Sequence, residues 1–140
     1  MWSTLAFLGV GLVITLLAQS STVSTALILS LSATTDLPII SAAAAIIGAN
    51  IGSTITAIYG AMGATANAKR AASAHILFNV TAGIVSFALL PFLVQFLDIF
   101  IEFFKMDSSD ATKLALFHTL FNVLGVLLMI PLAKYIAQFL

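Results

Sequence analysis

The first charged side chain in this sequence is Asp36, the next two are Lys69 and Arg70, and no other follows until Asp98. The stretches between them consist of Ala, Ile, Leu, Val, Phe and Gly with scattered hydroxyls and amides. A water-soluble domain spreads charge along every element, at about a quarter of its residues, so that one face of each can meet solvent. This chain of 140 residues is 7% charged and 61% hydrophobic, with a mean hydropathy of +1.19. Lipid is therefore its expected solvent. In lipid each backbone group must be satisfied internally, which for a chain of this pattern means helices.

The remaining composition removes whole classes of function. Five basic residues balance five acidic ones, so there is no electrostatic footprint for nucleic acid. Without cysteine there can be no disulfide, thiolate metal site or cysteine nucleophile. The first 18 residues lack a basic leader and a small-residue cleavage site, and are expected to belong to the fold.

Charges and turn residues divide the chain into an all-α integral membrane unit over 1–140. A spanning helix needs about 20 apolar residues. The two pieces within 3–33 are shorter than that and are separated only by the polar tip Gln19 to Thr22, which predicts a re-entrant helical hairpin. Asp36 and Pro38 mark the following loop. A helix over 38–63 is interrupted by "GANIGST", whose Gly48 and Gly52 fit either a close helix-packing face or the unwound centre of a broken helix. Lys69 and Arg70 close the next loop, and a span over 71–94 follows. Phe92, Phe96, Ile99 and Phe103 then recur at helical spacing with Gln95, Asp98, Glu102 and Lys105 between them. This pattern predicts an amphipathic interfacial helix over 95–105. Ser109 or Asp110 can cap a last span over 114–138.

This topology puts Lys69, Arg70 and Lys134 on one side of the membrane, and Lys105, Lys113 and all five acids on the other. Three cations against two favour the first side as cytoplasmic, in a multi-pass protein of the cell (plasma or inner) membrane.

Two hexapeptides repeat, "HILFNV" from His75 and "HTLFNV" from His118. Within each, His and Asn lie four apart and so share a helix face: His75 with Asn79, His118 with Asn122. Such pairs can serve simply as interhelical hydrogen-bond glue, worth roughly 0.6 to 2 kcal/mol. The tip "QSST" is harder to explain that way. Successive helical residues point about 100° apart, so four polar side chains in a row cannot all face one neighbour. They ask for a hydrated site. Helix N-termini restarting after "QSST" and after "GANIG" would suit an oxyanion. Carbonyls, hydroxyls and amides at the breaks would suit sodium. No carboxylate lies within a span, which disfavours a proton relay through acids.

Taken in order, "QSST", "GANIGST" and "AHILFN" resemble the repeat unit of the type II sodium-dependent phosphate cotransporters and their bacterial relatives. That family reads Q-S-S-S, then G-[AS]-N-I-G-T-[TS], then H-x-x-F-N. Thr22 departs from the third serine, and Ser53 stands where threonine is usual. The resemblance covers roughly residues 5 to 92, and "ALFHTLFNVLGVLLMIPL" looks like the closing span of the family's second half. It implies sodium-coupled symport of inorganic phosphate by one half of an inverted-repeat transporter, completed by a second copy of the chain or a homologous half.

On this reading the anion falls to Gln19, Ser20, Ser21, Thr22, Asn50, Ser53 and Thr54, and sodium to Gln19, Ser20, Ser24, Asn50, Thr54 and Asn79. His75, His118 and Asn122 are supporting polar groups, and Gly48 and Gly52 are helix-break glycines. Sodium is the coupling ion and no other cofactor is expected. The rival readings are a symporter for sulfate or a dicarboxylate and a non-transporting assembly subunit. An intramembrane hydrolase using Ser20 or Ser21 with His75 is disfavoured, because no nucleophile-elbow pattern surrounds either serine.

Overall fold

The computed structural model describes residues 2–139, and every element among them is helical. In chain order they are α1 (Trp2–Ala18), α2 (Ser21–Thr34), α3 (Ile39–Gly52), α4 (Thr54–Ala61), α5 (Ala66–Ala88), α6 (Leu90–Phe104), α7 (Asp110–Met129) and α8 (Ala133–Phe139). Three stretches are long and apolar enough to cross a membrane: Ile39–Ala61, which joins α3 to α4, then Ala66–Ala88 and Asp110–Met129.

The centre of the bundle is α3. Every residue from Ser41 to Asn50 is buried, on all sides of the helix. The sequence permits this because "SAAAAIIGAN" has small side chains around most of its circumference, so α1, α2, α5, α6 and α7 can all pack against it. The closest approach is by α1. A Cβ at Gly11 would fall on the carbonyl oxygen of Ala45, and one at Gly48 on that of Leu8. One at Gly52 would lie 2.8 Å from the Leu12 carbonyl oxygen and 3.0 Å from Thr15 Cβ. Gly48 meets Leu8 and Gly52 meets Leu12, four residues further along both helices, so α1 runs parallel to α3. By contrast, Asn50 meets Asn79 and Ile47 lies against Gly83, so α5 runs antiparallel.

These contacts correct the reading of Gly48 as a helix-break glycine, since it sits well inside α3, while Gly52 is the last residue of that helix. The missing side chains of both admit the backbone of α1. The interruption falls one residue later, at Ser53, and is slight. Ser53 keeps helical dihedrals and its N–H donates to the Ala49 carbonyl at 3.1 Å.

Other boundaries shift for identifiable reasons. The span expected over 71–94 begins at Ala66, because the Thr65 hydroxyl accepts from Ala68 N–H and caps it. Lys69 and Arg70 therefore lie in its opening turns and not in a loop. That span ends at Ala88, and Pro91 sits in the first turn of α6, the position where proline's missing N–H costs least. The amphipathic helix expected over 95–105 thus starts at Leu90. Its outward face is the aromatic one: Phe92, Phe96, Ile99 and Phe103 are exposed, while Leu90, Val94, Leu97 and Ile101 are buried. The helix is apolar on two faces, one toward protein and one outward. Lys105 ends it in the left-handed conformation, with Met106 N–H reaching back to the Ile101 carbonyl at 3.0 Å, a Schellman closure. The last span, expected over 114–138, starts at Asp110 behind a Ser109 cap. It stops at Met129, where a turn containing Pro131 leads to α8. A 2.8 Å ion pair between Lys113 and Asp98 ties α7 to α6.

Candidate functional site

The link between α1 and α2 is only two residues long. Gln19 adopts the left-handed conformation (φ 52°) and its N–H donates to the Thr15 carbonyl at 2.8 Å, closing α1. Ser20 is extended, and its hydroxyl accepts from Val23 N–H at 3.3 Å, capping α2. Left-handed backbone suits glycine, and placing a side chain there costs on the order of 1 kcal/mol. The chain nonetheless holds a glutamine at this turn, and its side chain is exposed.

The tip lies level with the α3–α4 junction. Thr15 packs beside Gly52, the last residue of α3, one turn before Gln19. The joined α3–α4 helix has 23 residues, about 34 Å of rise, whereas α1 with 17 residues rises about 25 Å.

At that junction the polar groups close mainly on one another. The Ser53 hydroxyl donates to the Asn50 carbonyl at 2.6 Å, Thr54 to the Ile51 carbonyl at 2.7 Å, and Thr56 to the Ser53 carbonyl at 2.7 Å. Each hydroxyl spends its proton within its own helix and keeps oxygen lone pairs. The one long-range link is an amide pair: Asn50 Nδ2 donates to Asn79 Oδ1 at 2.6 Å, with both residues buried. Asn79 Nδ2 in turn donates to the His75 carbonyl at 2.9 Å and lies within 3.4 Å of both ring nitrogens. The motifs "GANIG" and "HILFN" thus meet in space.

Other expected site residues are distributed less tightly. Ser24 is fully buried, with its hydroxyl on the Ser20 carbonyl at 2.9 Å. Ser21 and Thr22 form the first turn of α2, partly buried and exposed respectively. The second pair, His118 and Asn122, is not part of this group. Asn122 Nδ2 donates to the His118 carbonyl at 2.7 Å, and both side chains line an open groove made of α7 residues alone. The two expected helix restarts lie at slightly different places. The cap of α2 is Ser20, within "QSST", and α4 begins at Thr54 after the single residue Ser53, which keeps helical dihedrals.

The sequence reading passed over Thr15. It is fully buried beside Gly52, and its hydroxyl has no hydrogen-bond partner. A buried hydroxyl without a partner is uncommon enough to require a reason. The available signal was its position four residues before Gln19, on the helix that leads into the tip. Ser32 and Ser86 carry the other unpartnered buried hydroxyls among the described residues, away from this junction.

No family model, curated protein or solved structure matches this chain.

Proposed function

We propose that this chain is one half of a sodium-coupled symporter for inorganic phosphate, with α1 and α2 as a re-entrant hairpin. The observation that carries the reading is the buried Asn50–Asn79 pair, which joins two of the three motifs directly beneath the junction that the third approaches. The capped start of α2 offers backbone N–H groups and hydroxyls from Ser20, Ser21 and Thr22 to an oxyanion. Gln19, Asn50, Ser53 and Thr54 offer neutral oxygen donors, a chemistry suited to sodium. The left-handed Gln19 supports a role for its side chain, since a turn chosen for stability alone would favour glycine.

In this reading Gln19 and Thr22 are exposed because a second repeat covers them, either another copy in the opposite orientation or a homologous half. Purified protein in liposomes takes up phosphate along a sodium gradient and not along a potassium gradient. Cysteines introduced at Ser20 cross-link between copies, and a cysteine at Asn67 is labelled from both sides of the bilayer. Uptake indifferent to sodium refutes the reading.

A second reading, a non-transporting assembly subunit, draws on the self-contained hydrogen bonds of Ser53, Thr54 and Thr56 and on the packing role of Gly48 and Gly52. It predicts that Gln19→Ala leaves every measured function unchanged.

A further inference from the structure

All the acidic residues of this bundle lie at one end, together with Lys105 and Lys113. Asp36 precedes α3, while Asp98, Glu102, Asp107 and Asp110 lie on α6, the following loop and the start of α7, all at the end where α3 begins. The opposite end carries Lys69 and Arg70 in the first turns of α5 and Lys134 in α8, with no acidic residue among those described. At that basic end α5, α7 and α8 enclose a groove of about 470 Å³, walled by Ala74, Phe78, Met129 and Ile136 and carrying Arg70 as its one charged residue. The Arg70 guanidinium is exposed, and its only hydrogen bond among the described residues is a 3.4 Å contact to Asn67.

We propose that this groove binds an anionic phospholipid, with an acyl chain between α5, α7 and α8 and the headgroup phosphate on Arg70. The groove is apolar where a membrane places hydrocarbon and cationic where it places headgroups. A guanidinium recognises phosphate through paired N–H donors, which an ammonium does not reproduce. With no carboxylate at this end to compete, the local field selects anionic over zwitterionic lipid. The turn at Pro131 shapes the site, because it releases α8 from the line of α7 and lets Ala133 and Ile136 form the third wall. The proposal does not rest on phosphate transport.

The test is thermal unfolding of the purified chain in a neutral detergent, titrated separately with dioleoyl phosphatidylglycerol, dioleoyl phosphatidylcholine and inorganic phosphate without sodium. Phosphatidylglycerol raises the melting temperature saturably and the other two do not. Arg70→Gln weakens its apparent affinity roughly five-fold or more, a loss on the scale of one interfacial cation. Lys69→Gln removes the same charge from a neighbouring groove bounded by Ile58 and Met62 and changes the affinity much less. Ala74→Trp, which fills the slot, abolishes the shift. Equal losses from Arg70→Gln and Lys69→Gln would reduce the effect to general electrostatics and overturn the site. So would equal stabilisation by phosphatidylcholine, or dissociation of a dimer by Ala74→Trp with no lipid effect, which would assign the groove to a second copy.

Discussion

The hexapeptides HILFNV and HTLFNV differ at one position, yet they occupy the bundle in different ways. On α5 the residue turned inward is Asn79, 4% exposed and bonded to Asn50, while Phe78 is only partly buried. On α7 the inward residue is Phe121, fully buried against Phe117, and Asn122 is left at the side with no acceptor but its own helix. The difference amounts to a rotation by one residue, about 100° of helix. Its cause lies in the flanking sequence. The buried line of α5 is Asn79, Ala82, Gly83 and Ser86, small groups that let α5 approach α3 closely. That of α7 is Leu114, Phe117, Phe121 and Met129, bulky groups that fill the core, with Gly125 the one small residue among them. A polar motif therefore acquires its role from the residues one turn away, which decide which of its side chains faces a partner.

The largest expected effect concerns the glycines on the two sides. Gly48→Leu directs a side chain into the backbone of α1, which cannot yield, so it costs more than about 3 kcal/mol and folded protein is lost from detergent extracts. Gly125→Leu meets the Ala82 Cβ at 2.9 Å, which moves only with its backbone, and the Phe78 ring at 3.2 Å, which can turn aside, and costs less, about 1 to 3 kcal/mol by thermal or denaturant unfolding. Equal expression of both variants would break the contrast between the two sides. Next come the amides themselves. Asn79→Leu strands the Asn50 amide and destabilises by about 1 to 3 kcal/mol, whereas Asn122→Leu stays within about 0.5 kcal/mol. A double-mutant cycle over Asn50 and Asn79 sharpens this by returning a coupling energy of about 0.5 kcal/mol or more.

A smaller effect separates function from stability at the tip. Gln19→Gly relieves the left-handed strain and stabilises by up to about 1 kcal/mol, yet abolishes sodium-dependent phosphate binding measured by calorimetry. The smallest effect lies outside the membrane. The Asp107 carboxylate accepts from the Ser109 hydroxyl at 2.6 Å, the Ser109 N–H at 3.2 Å and the Thr112 hydroxyl at 3.1 Å, which hold it below the usual value of 3.8. A depressed carboxylate stabilises the fold above its unfolded value and loses that contribution as pH falls through the folded one. Thr112→Val, which leaves the Ser109 cap of α7 in place, therefore raises the Asp107 pKa toward 3.8 in an NMR titration and slightly lowers stability near neutral pH.

Much of this architecture was legible because it depends on short-range signals. Apolar length marked the three spans, Asp36 and Pro38 marked the loop before α3, and Ser109 is an ordinary helix cap, whereas Lys69 and Arg70 fell inside a helix and not in a loop. What could not be read depended on which face meets which neighbour. The glycines of "GANIG" fit a break and a packing face equally well until the position of α1 decided between them. The Phe residues of α6 formed a regular stripe, but nothing in their spacing told whether the stripe faces protein or lipid. Pro131 was available in the sequence as the stop of the last span and was passed over inside a long apolar run. Of the three motifs, "GANIG" and "HILFN" come together through Asn50 and Asn79. The difference between the two His–Asn pairs and the orphaned Thr15 hydroxyl emerge only from the packed helices.

The proposed sodium-dependent phosphate site comprises the Asn50–Asn79 junction and the hairpin tip and excludes the second His–Asn pair. It is tested most directly by equilibrium binding of radiolabelled phosphate to purified protein, in sodium and in choline, for the wild type and for Gln19→Ala, Asn50→Ala and Asn122→Ala. The account predicts saturable binding only in sodium, lost in Gln19→Ala and Asn50→Ala and retained in Asn122→Ala. Binding that ignores sodium, or that survives in Asn50→Ala while failing in Asn122→Ala, would contradict it.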